Sequence, residues 1–267
     1  MPKQGLVYDL AETVYHDDRV SLSSTGAKTL LRSPAQYVWE LDHPASSPAF
    51  DAGSLTHALV LGQDHPYVCK DWDGRTTEGK ARAAEVAEFG LTALPADSWA
   101  DAHGMAEAVL NNKVAAKLLS QGAPEVSAYA LDKGTGVWMR GRFDWLRDGM
   151  IVDLKTCVNA DPKAWARKAA ELKYDVQQEW YRAIFHAITG VWVDFVFILV
   201  ENAAPHLTSV VRLDDAAGER GRRLGEIARE IFRDCQTVNV WPQWPNTTDE
   251  IVEVSLPFWA LNYDPLN

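Results

Sequence analysis

Cysteine is scarce: Cys69, Cys157 and Cys235 are the only three among 267 residues, far apart and without a CxxC pair. That excludes a four-cysteine zinc or iron–sulfur site and gives no disulfide framework. A reduced, cytoplasmic setting is the expectation. No apolar run reaches the roughly 18 residues that a membrane-spanning helix needs. The segment "MPKQGLVYDLAETVYHDD" has no cationic stretch followed by an apolar core, so it does not read as a secretory signal. Internal repeats and low-complexity linkers are also missing. Positive charge is in deficit, with 26 Lys and Arg against 37 Asp and Glu, a net of −11. Such a balance argues against non-specific coating of nucleic acid.

The deficit is uneven. From Trp138 to Arg182 there are 9 Lys/Arg against 7 Asp/Glu, while the other residues carry 17 against 30. A less acidic strip suits a site that attracts phosphate, although ordinary fluctuation also produces such strips. At 47% hydrophobic, the chain can bury one large α/β core or two small ones.

Capping serines at Ser23 or Ser24, and Ser33-Pro34 further on, predict two helical turns in "SLSSTGAKTLLRSPAQYVWELD". "FDAGSLTHALVLGQD" reads as a helix, and residues 75–122 as helix in two pieces broken near Leu94-Pro95. Strand signals follow at "EVSAYAL", "GVWMRGRFDWL" and "MIVDLKTCV". Asp161 to Ile188 reads as helix, with Gly190 as its terminator. "VWVDFVFILVE" and "HLTSVVRLD" read as strands around Ala204-Pro205, residues 215–238 as a surface helix, and the Trp/Pro-rich tail as holding one short strand. The expectation is a single domain over 1–267 of mixed α/β or α+β class. Residues 1–120 would be mainly helical, and 121–267 would form a sheet core with a hairpin, a C-terminal helix and a strand.

That hairpin carries the chemistry. Asp148-Gly149 between alternating apolar runs is a strong turn signal. With those two at the turn, Arg147 pairs with Met150 and Asp144 falls opposite Asp153, on the face that also carries Lys155. Opposed side chains sit about 4.5–5.5 Å apart at Cβ, and like charges there destabilise. Such a pair either shares a proton or holds a cation, and Mg²⁺ takes one or two carboxylates with waters and phosphate oxygens. A surface ion pair among Asp144, Asp153 and Lys155 is the plainer alternative. A one-residue slip in register would turn Asp144 to the wrong face. His57, in the apolar segment "GSLTHALVL", is either a core histidine or a metal ligand. Gln177 and Tyr181 share a helix face, with Arg182 beside them. Glu125, at the start of its strand, is either a plain strand-end acid or a further carboxylate of the site.

The ordered set His57, Glu125, Asp144, Asp153-Leu154-Lys155 and Gln177-x-x-x-Tyr181 resembles the RecB-type branch of the PD-(D/E)XK nuclease superfamily. The flanks "SLSSTGAKTLLRSPAQYVWE", "GSLTHALVLG", "TGVWMRGRFDW" and "VSLPFWA" resemble phage exonucleases of the RecE (exonuclease VIII) type, from about Ser21 to about Ala260. The resemblance implies a central mixed sheet flanked by helices and Mg²⁺ as cofactor, with Mn²⁺ substituting, one or two ions per site. It also implies 5′-to-3′ digestion of one strand from double-stranded DNA ends, in phage recombination or replication. The family works as rings, trimers or tetramers, and the 3′ tail goes to a single-strand annealing protein.

Position by position, His57, Asp144, Asp153 and the Leu154 carbonyl would bind metal, with Glu125 as a supporting or second-metal carboxylate. Lys155 would be the catalytic lysine, and Gln177 and Tyr181 would position it or the DNA backbone. Arg142 would meet phosphate, with Arg182, Lys28 and Arg32 as further DNA contacts. The chain departs from the family in using Asp153 where Glu is more frequent. It also lacks the four-cysteine cluster of the iron–sulfur relatives and the helicase loop G-x-x-x-x-G-K-[ST]. A DNA-end-binding module without strong catalysis, and a structure-specific or single-strand nuclease, are the alternatives on the same fold.

Overall fold

Local chemistry sets the element boundaries. In the computed structural model, which describes residues 3–43, 48–244 and 251–261, the chain opens with β1 (Gly5–Val7), α1 (Glu12–His16) and β2 (Leu22–Ser23). The Ser23 hydroxyl then accepts the Gly26 N–H at 3.0 Å and caps α2 (Ser24–Leu30). Ser33 does the same for Gln36 at 3.1 Å, with Pro34 in the first turn of α3 (Pro34–Asp42). Next come α4 (Pro48–Leu61), β3 (Tyr67–Lys70), α5 (Thr77–Glu88), β4 (Thr92–Pro95), α6 (Ala96–Asn111) and α7 (Lys113–Leu119). The second half runs β5 (Ala123–Leu131), β6 (Trp138–Arg147), β7 (Met150–Cys157), α8 (Pro162–Glu171), α9 (Tyr174–Thr189), β8 (Asp194–Glu201), β9 (Thr208–Val211), α10 (Asp215–Val238) and α11 (Phe258–Leu261).

The main sheet has seven strands in the order β1-β5-β6-β7-β8-β9, with β2 pairing alongside β6. It is mixed: β7 runs parallel to β8 and β2 parallel to β6, while the other pairs are antiparallel. The β7–β8 crossover is made by α8 and α9, as a parallel pair requires. Helices cover both faces, so the central strands are apolar on both sides. Ile151, Phe143, Phe195 and Phe197 pack with Trp180, Ile184 and Phe232 in one layer. Val152, Leu154, Ile198 and Val200 pack with Val60, Met105 and Val109 in the other. The mixed sheet flanked by helices is the architecture expected from the sequence.

Several elements differ from the sequence reading. The amino-terminal part, read as mainly helical, gives β1 and β2 to the main sheet. Residues 66–95 hold a small parallel pair that the sequence reading did not include, Tyr67 against Thr92 through Lys70 against Pro95, and its second strand falls at the break read near Leu94-Pro95. The helix read across 161–188 breaks in two at Lys173, which adopts a left-handed φ of 53°. Gly190 ends α9 at a φ of 77°, a conformation glycine takes without steric cost. No strand occurs among the described residues of the tail, 251–261. No helix among the described residues is long and apolar enough to cross a membrane.

Candidate active site

The site lies where β6 and β7 separate. Arg147 pairs with Met150, Leu146 with Ile151 and Trp145 with Val152, and there the ladder stops. One step further, Asp144 engages β7 by its side chain: Oδ2 accepts the Leu154 N–H at 2.8 Å. Across β6, Glu125 is likewise left out of the β5 ladder, which runs Pro124–Trp145 and then Val126–Phe143. Glu125 has a φ of 50°, and a non-glycine residue in that region costs about 1–2 kcal/mol. Strain of this kind persists where the surroundings enforce it.

Here the strain brings a carboxylate to its neighbours. His57, Glu125 and Asp144 each offer a ligand atom, and these lie within 4.8 Å of one another. His57, carried by α4, has Nδ1 3.5 Å from Asp144 Oδ2, and its ring is hydrogen-bonded to the Leu154 backbone. Burial, with Lys155 adding repulsion, pushes the imidazole down to about 4. It is therefore neutral at pH 7, the form that ligates metal. Burial and the neighbouring Asp144 push Glu125 up to about 7, against the pull of Arg142. Burial also raises Asp144, although Lys155 and the Leu154 N–H oppose it. All three groups are held toward their neutral forms, and a cation among them would favour the ionised carboxylates.

Asp153 stands beside this cluster. It is fully buried, and its Oδ1 accepts the Gln177 amide at 2.6 Å. Its Oδ2 is ion-paired with Lys155. Burial pushes Asp153 up to about 6, with Asp144 adding to the rise and Lys155 opposing it. Burial alone would lower the Lys155 ammonium, but Asp153 and Asp144 outweigh it and hold the proton. The strand reading put Asp144 and Asp153 directly opposed. The strands part there instead, and each acid takes a different partner, because a buried carboxylate needs its own donor or counter-charge.

The other residues singled out from the sequence fall in distinct places. Tyr181 is buried over Gly141 and Phe143, and its hydroxyl meets the Ser24 side chain rather than Lys155. Arg142 lines the cleft, but it donates to the Ser127 hydroxyl and the Leu10 carbonyl and stacks on Tyr15. Arg182 is engaged away from the cluster by Glu179, the Val193 carbonyl and the Trp192 ring. Arg32 pairs with Glu40 at 3.7 Å. Lys28 comes close: its Nζ is 5.5 Å from the Tyr174 ring centre, and Lys155 Nζ is 5.2 Å from the same ring. Burial and Lys155 push Lys28 down to about 8.

The cleft over these groups encloses about 820 Å³, with Glu12, Ser54, His65 and Tyr67 completing its wall. Sequence reasoning missed those four and Tyr174. Tyr174 had one usable signal, since it lies three residues, about one helical turn, before Gln177.

A mixed sheet with helices on both faces and an acid–acid–lysine hairpin at the point where its strands part is a PD-(D/E)XK-like fold. The chain belongs to the family described as PDDEXK-like domain of unknown function (DUF3799), whose model matches residues 23–251. An exonuclease candidate from Eubacterium rectale, solved by crystallography, shares the fold with a TM-score of 0.64 at 15% identity, over 95% of this chain and 96% of that one. A phage-related exonuclease from Haemophilus somnus 129PT aligns with a TM-score of 0.33 at 13% identity, over 69% of this chain and 95% of that one. No curated protein sequence matches the chain. Family and fold together support a nuclease.

Proposed function

We propose that this protein is a metal-dependent exodeoxyribonuclease that digests linear double-stranded DNA from its ends, 5′ to 3′, and leaves 3′ single-stranded tails. The observation that carries the reading is the three-residue cluster His57, Glu125 and Asp144, of which His57 and Glu125 line one cleft with Lys155. The donor set fits a hard divalent cation: two carboxylates, a neutral imidazole and a nearby backbone carbonyl at Leu154. Mg²⁺, with Mn²⁺ substituting, would be held by these residues, with Asp153 as the adjoining carboxylate. When bound, it would supply Lewis-acid polarisation of the scissile phosphate and a lower pKa for a nearby water.

The protein's own groups supply the rest. Asp153, gripped by Gln177, keeps Lys155 charged and aimed into the cleft. An ammonium there stabilises the charge that develops on the phosphorane and orients the attacking water. Asp144 ties β7 to β6 through Leu154, which fixes the carbonyl beside His57. Gln177 thus acts on Asp153, and Tyr181 acts on the packing beneath. Lys28, behind Tyr174, adds positive potential for the phosphate backbone. A homo-oligomeric ring, trimer or tetramer, would reconcile the net charge of −11 with DNA binding by turning the less acidic strip inward. The 3′ tail would pass to a single-strand annealing protein in the cytoplasm of a phage-infected host.

The test is digestion of linear duplex labelled at the 5′ or the 3′ end, beside a covalently closed circle, with Mg²⁺, Mn²⁺ or EDTA. Metal-dependent loss of the linear form with early release of the 5′ label supports the reading. Cutting of the circle would point to an endonuclease, and binding without cutting to an end-binding module.

A further inference from the structure

A second cavity, of about 350 Å³, opens beside the catalytic cleft. Thr156 and Tyr174 line both, so the two spaces share a wall. One side of the second cavity is aromatic: Trp165 and Tyr174 stack with ring centres 5.7 Å apart and planes 18° apart. Apolar side chains stand at its mouth, with Val158 85% and Leu172 40% exposed. The polar lining includes Asn159 and Asn202. The loop that frames it is pinned. The Asn202 N–H reaches the Cys157 carbonyl at 2.9 Å, the Ala160 N–H reaches Glu201 at 2.9 Å, and the Ser209 hydroxyl reaches the Ala160 carbonyl at 2.6 Å. The cavity is therefore preformed, which lowers the cost of filling it.

We propose that this cavity receives one unpaired nucleobase of the strand being digested, from a nucleotide flanking the scissile phosphate. The inference rests on the nuclease reading above and deepens it. Three features argue for a base. The shared wall at Tyr174, against which Lys155 lies, sets the cavity one short step from where the phosphate would sit. Flat apolar walls suit a π-face, and every base has one, so stacking tolerates any sequence. The Asn159 oxygen accepts the Asp161 N–H at 2.8 Å, which holds that carboxamide in place, and the Asn159 and Asn202 carboxamides carry donors and acceptors of the kind that match base edges. A base in this position has left the duplex. The cavity would therefore hold open the terminal pair ahead of each cut, and unpairing costs least at an end.

The experiment pairs Leu172→Ala and Val158→Asp with substrates that lack one base. KM and kcat are measured for linear duplexes carrying an abasic residue at each of the first three positions of the digested strand in turn. Thermal melting checks that both variants fold. On intact duplex we expect KM to rise roughly tenfold in each variant, the scale of losing one stacked base. At one abasic position, wild type and variants should converge, because the base that the pocket grips is gone. An equal loss on every substrate would mean a purely structural lesion and would overturn the proposal.

A second readout uses 2-aminopurine at the same positions with the full chain in EDTA. A fluorescence change at one position, absent in Val158→Asp, supports the pocket even where no cutting is detected. DNA bound with no such change at any position overturns the pocket alone. A chain that binds no DNA at all overturns the nuclease reading, and the pocket with it.

Discussion

Replacing Asp144 by Asn separates the structural role of this carboxylate from its role toward a cation. Asp144 Oδ2 accepts the Leu154 N–H at 2.8 Å, and an amide oxygen can accept it equally well. Burial holds the Asp144 carboxyl above its ordinary range, so a neutral amide removes a charge that the fold disfavours. In EDTA, Asp144→Asn should melt at or above the wild-type temperature. Metal changes this. A ligand at 100 times its Kd stabilises the native state by about 2.7 kcal/mol, which for a chain of this size raises Tm by about 5–10 °C. Losing one of two clustered carboxylates should weaken binding roughly a hundredfold, which cuts the same stabilisation to about 0.4 kcal/mol and the shift to about 1 °C. The assay is thermal melting of both proteins in EDTA and over a Mg²⁺ and Mn²⁺ series. Asp144→Leu serves as the contrast: its Leu154 N–H loses its acceptor, at a cost of about 1–3 kcal/mol without any metal. A full wild-type metal shift in Asp144→Asn would refute the assignment of Asp144 to the cation site.

Other expectations follow from the same geometry. Glu125, held up at about 7, binds its proton more tightly folded than unfolded, so its contribution is greatest below pH 4.5 and is lost as pH rises through 7. Glu125→Gln should therefore out-melt wild type at pH 8 in EDTA, with the gap narrower at pH 5.5 and closed only below about pH 4.5, and should lose the metal shift; a gap independent of pH would contradict this. Because Glu125 and Asp153 take protons up to about 7 and about 6, Mn²⁺ affinity measured by calorimetry should fall as pH drops from 8 to 5.5. A flat profile would remove both acids from the site. At Gly141, an added Cβ would lie 2.9 Å from Tyr181 Cδ1. Gly141→Ala should thus lower stability by about 1–3 kcal/mol through overpacking, read by denaturant melts, and an unchanged midpoint would show that Tyr181 is free to move.

Much of this site was legible because its signals are local. Asp148-Gly149 fixes the turn, the turn fixes the register from Arg147–Met150 to Trp145–Val152, and the register brings both aspartates to one place. The capping serines and Gly190 are equally local devices. What was illegible depends on distant partners. Glu125 reads equally as a strand-end acid or a further carboxylate of the site; only a left-handed backbone at that residue carries it to His57 and Asp144. Arg142 and Arg182 look like free cations in sequence, but Leu10, Ser127 and Val193, outside their own strand and helix, engage them. The pair β3–β4 escaped notice because each strand has only four residues and bonds only to the other. Lys28 reads as a DNA contact, but its place beside Tyr174 and Lys155 shows only when α2 and α9 meet.

The central claim, a metal-dependent nuclease driven by Lys155, is tested most directly by Lys155→Gln. Glutamine can still donate a hydrogen bond to Asp153, and the Gln177 bond to Asp153 stays in place, so the fold should hold while the positive charge is removed. Cleavage of linear duplex DNA is measured for wild type and variant in saturating Mg²⁺ and in EDTA, with melting curves beside them. The account predicts metal-dependent cleavage by wild type and a loss of about 10²-fold or more in the folded variant. Cleavage at the wild-type rate by Lys155→Gln, or undiminished cleavage in EDTA, would contradict it.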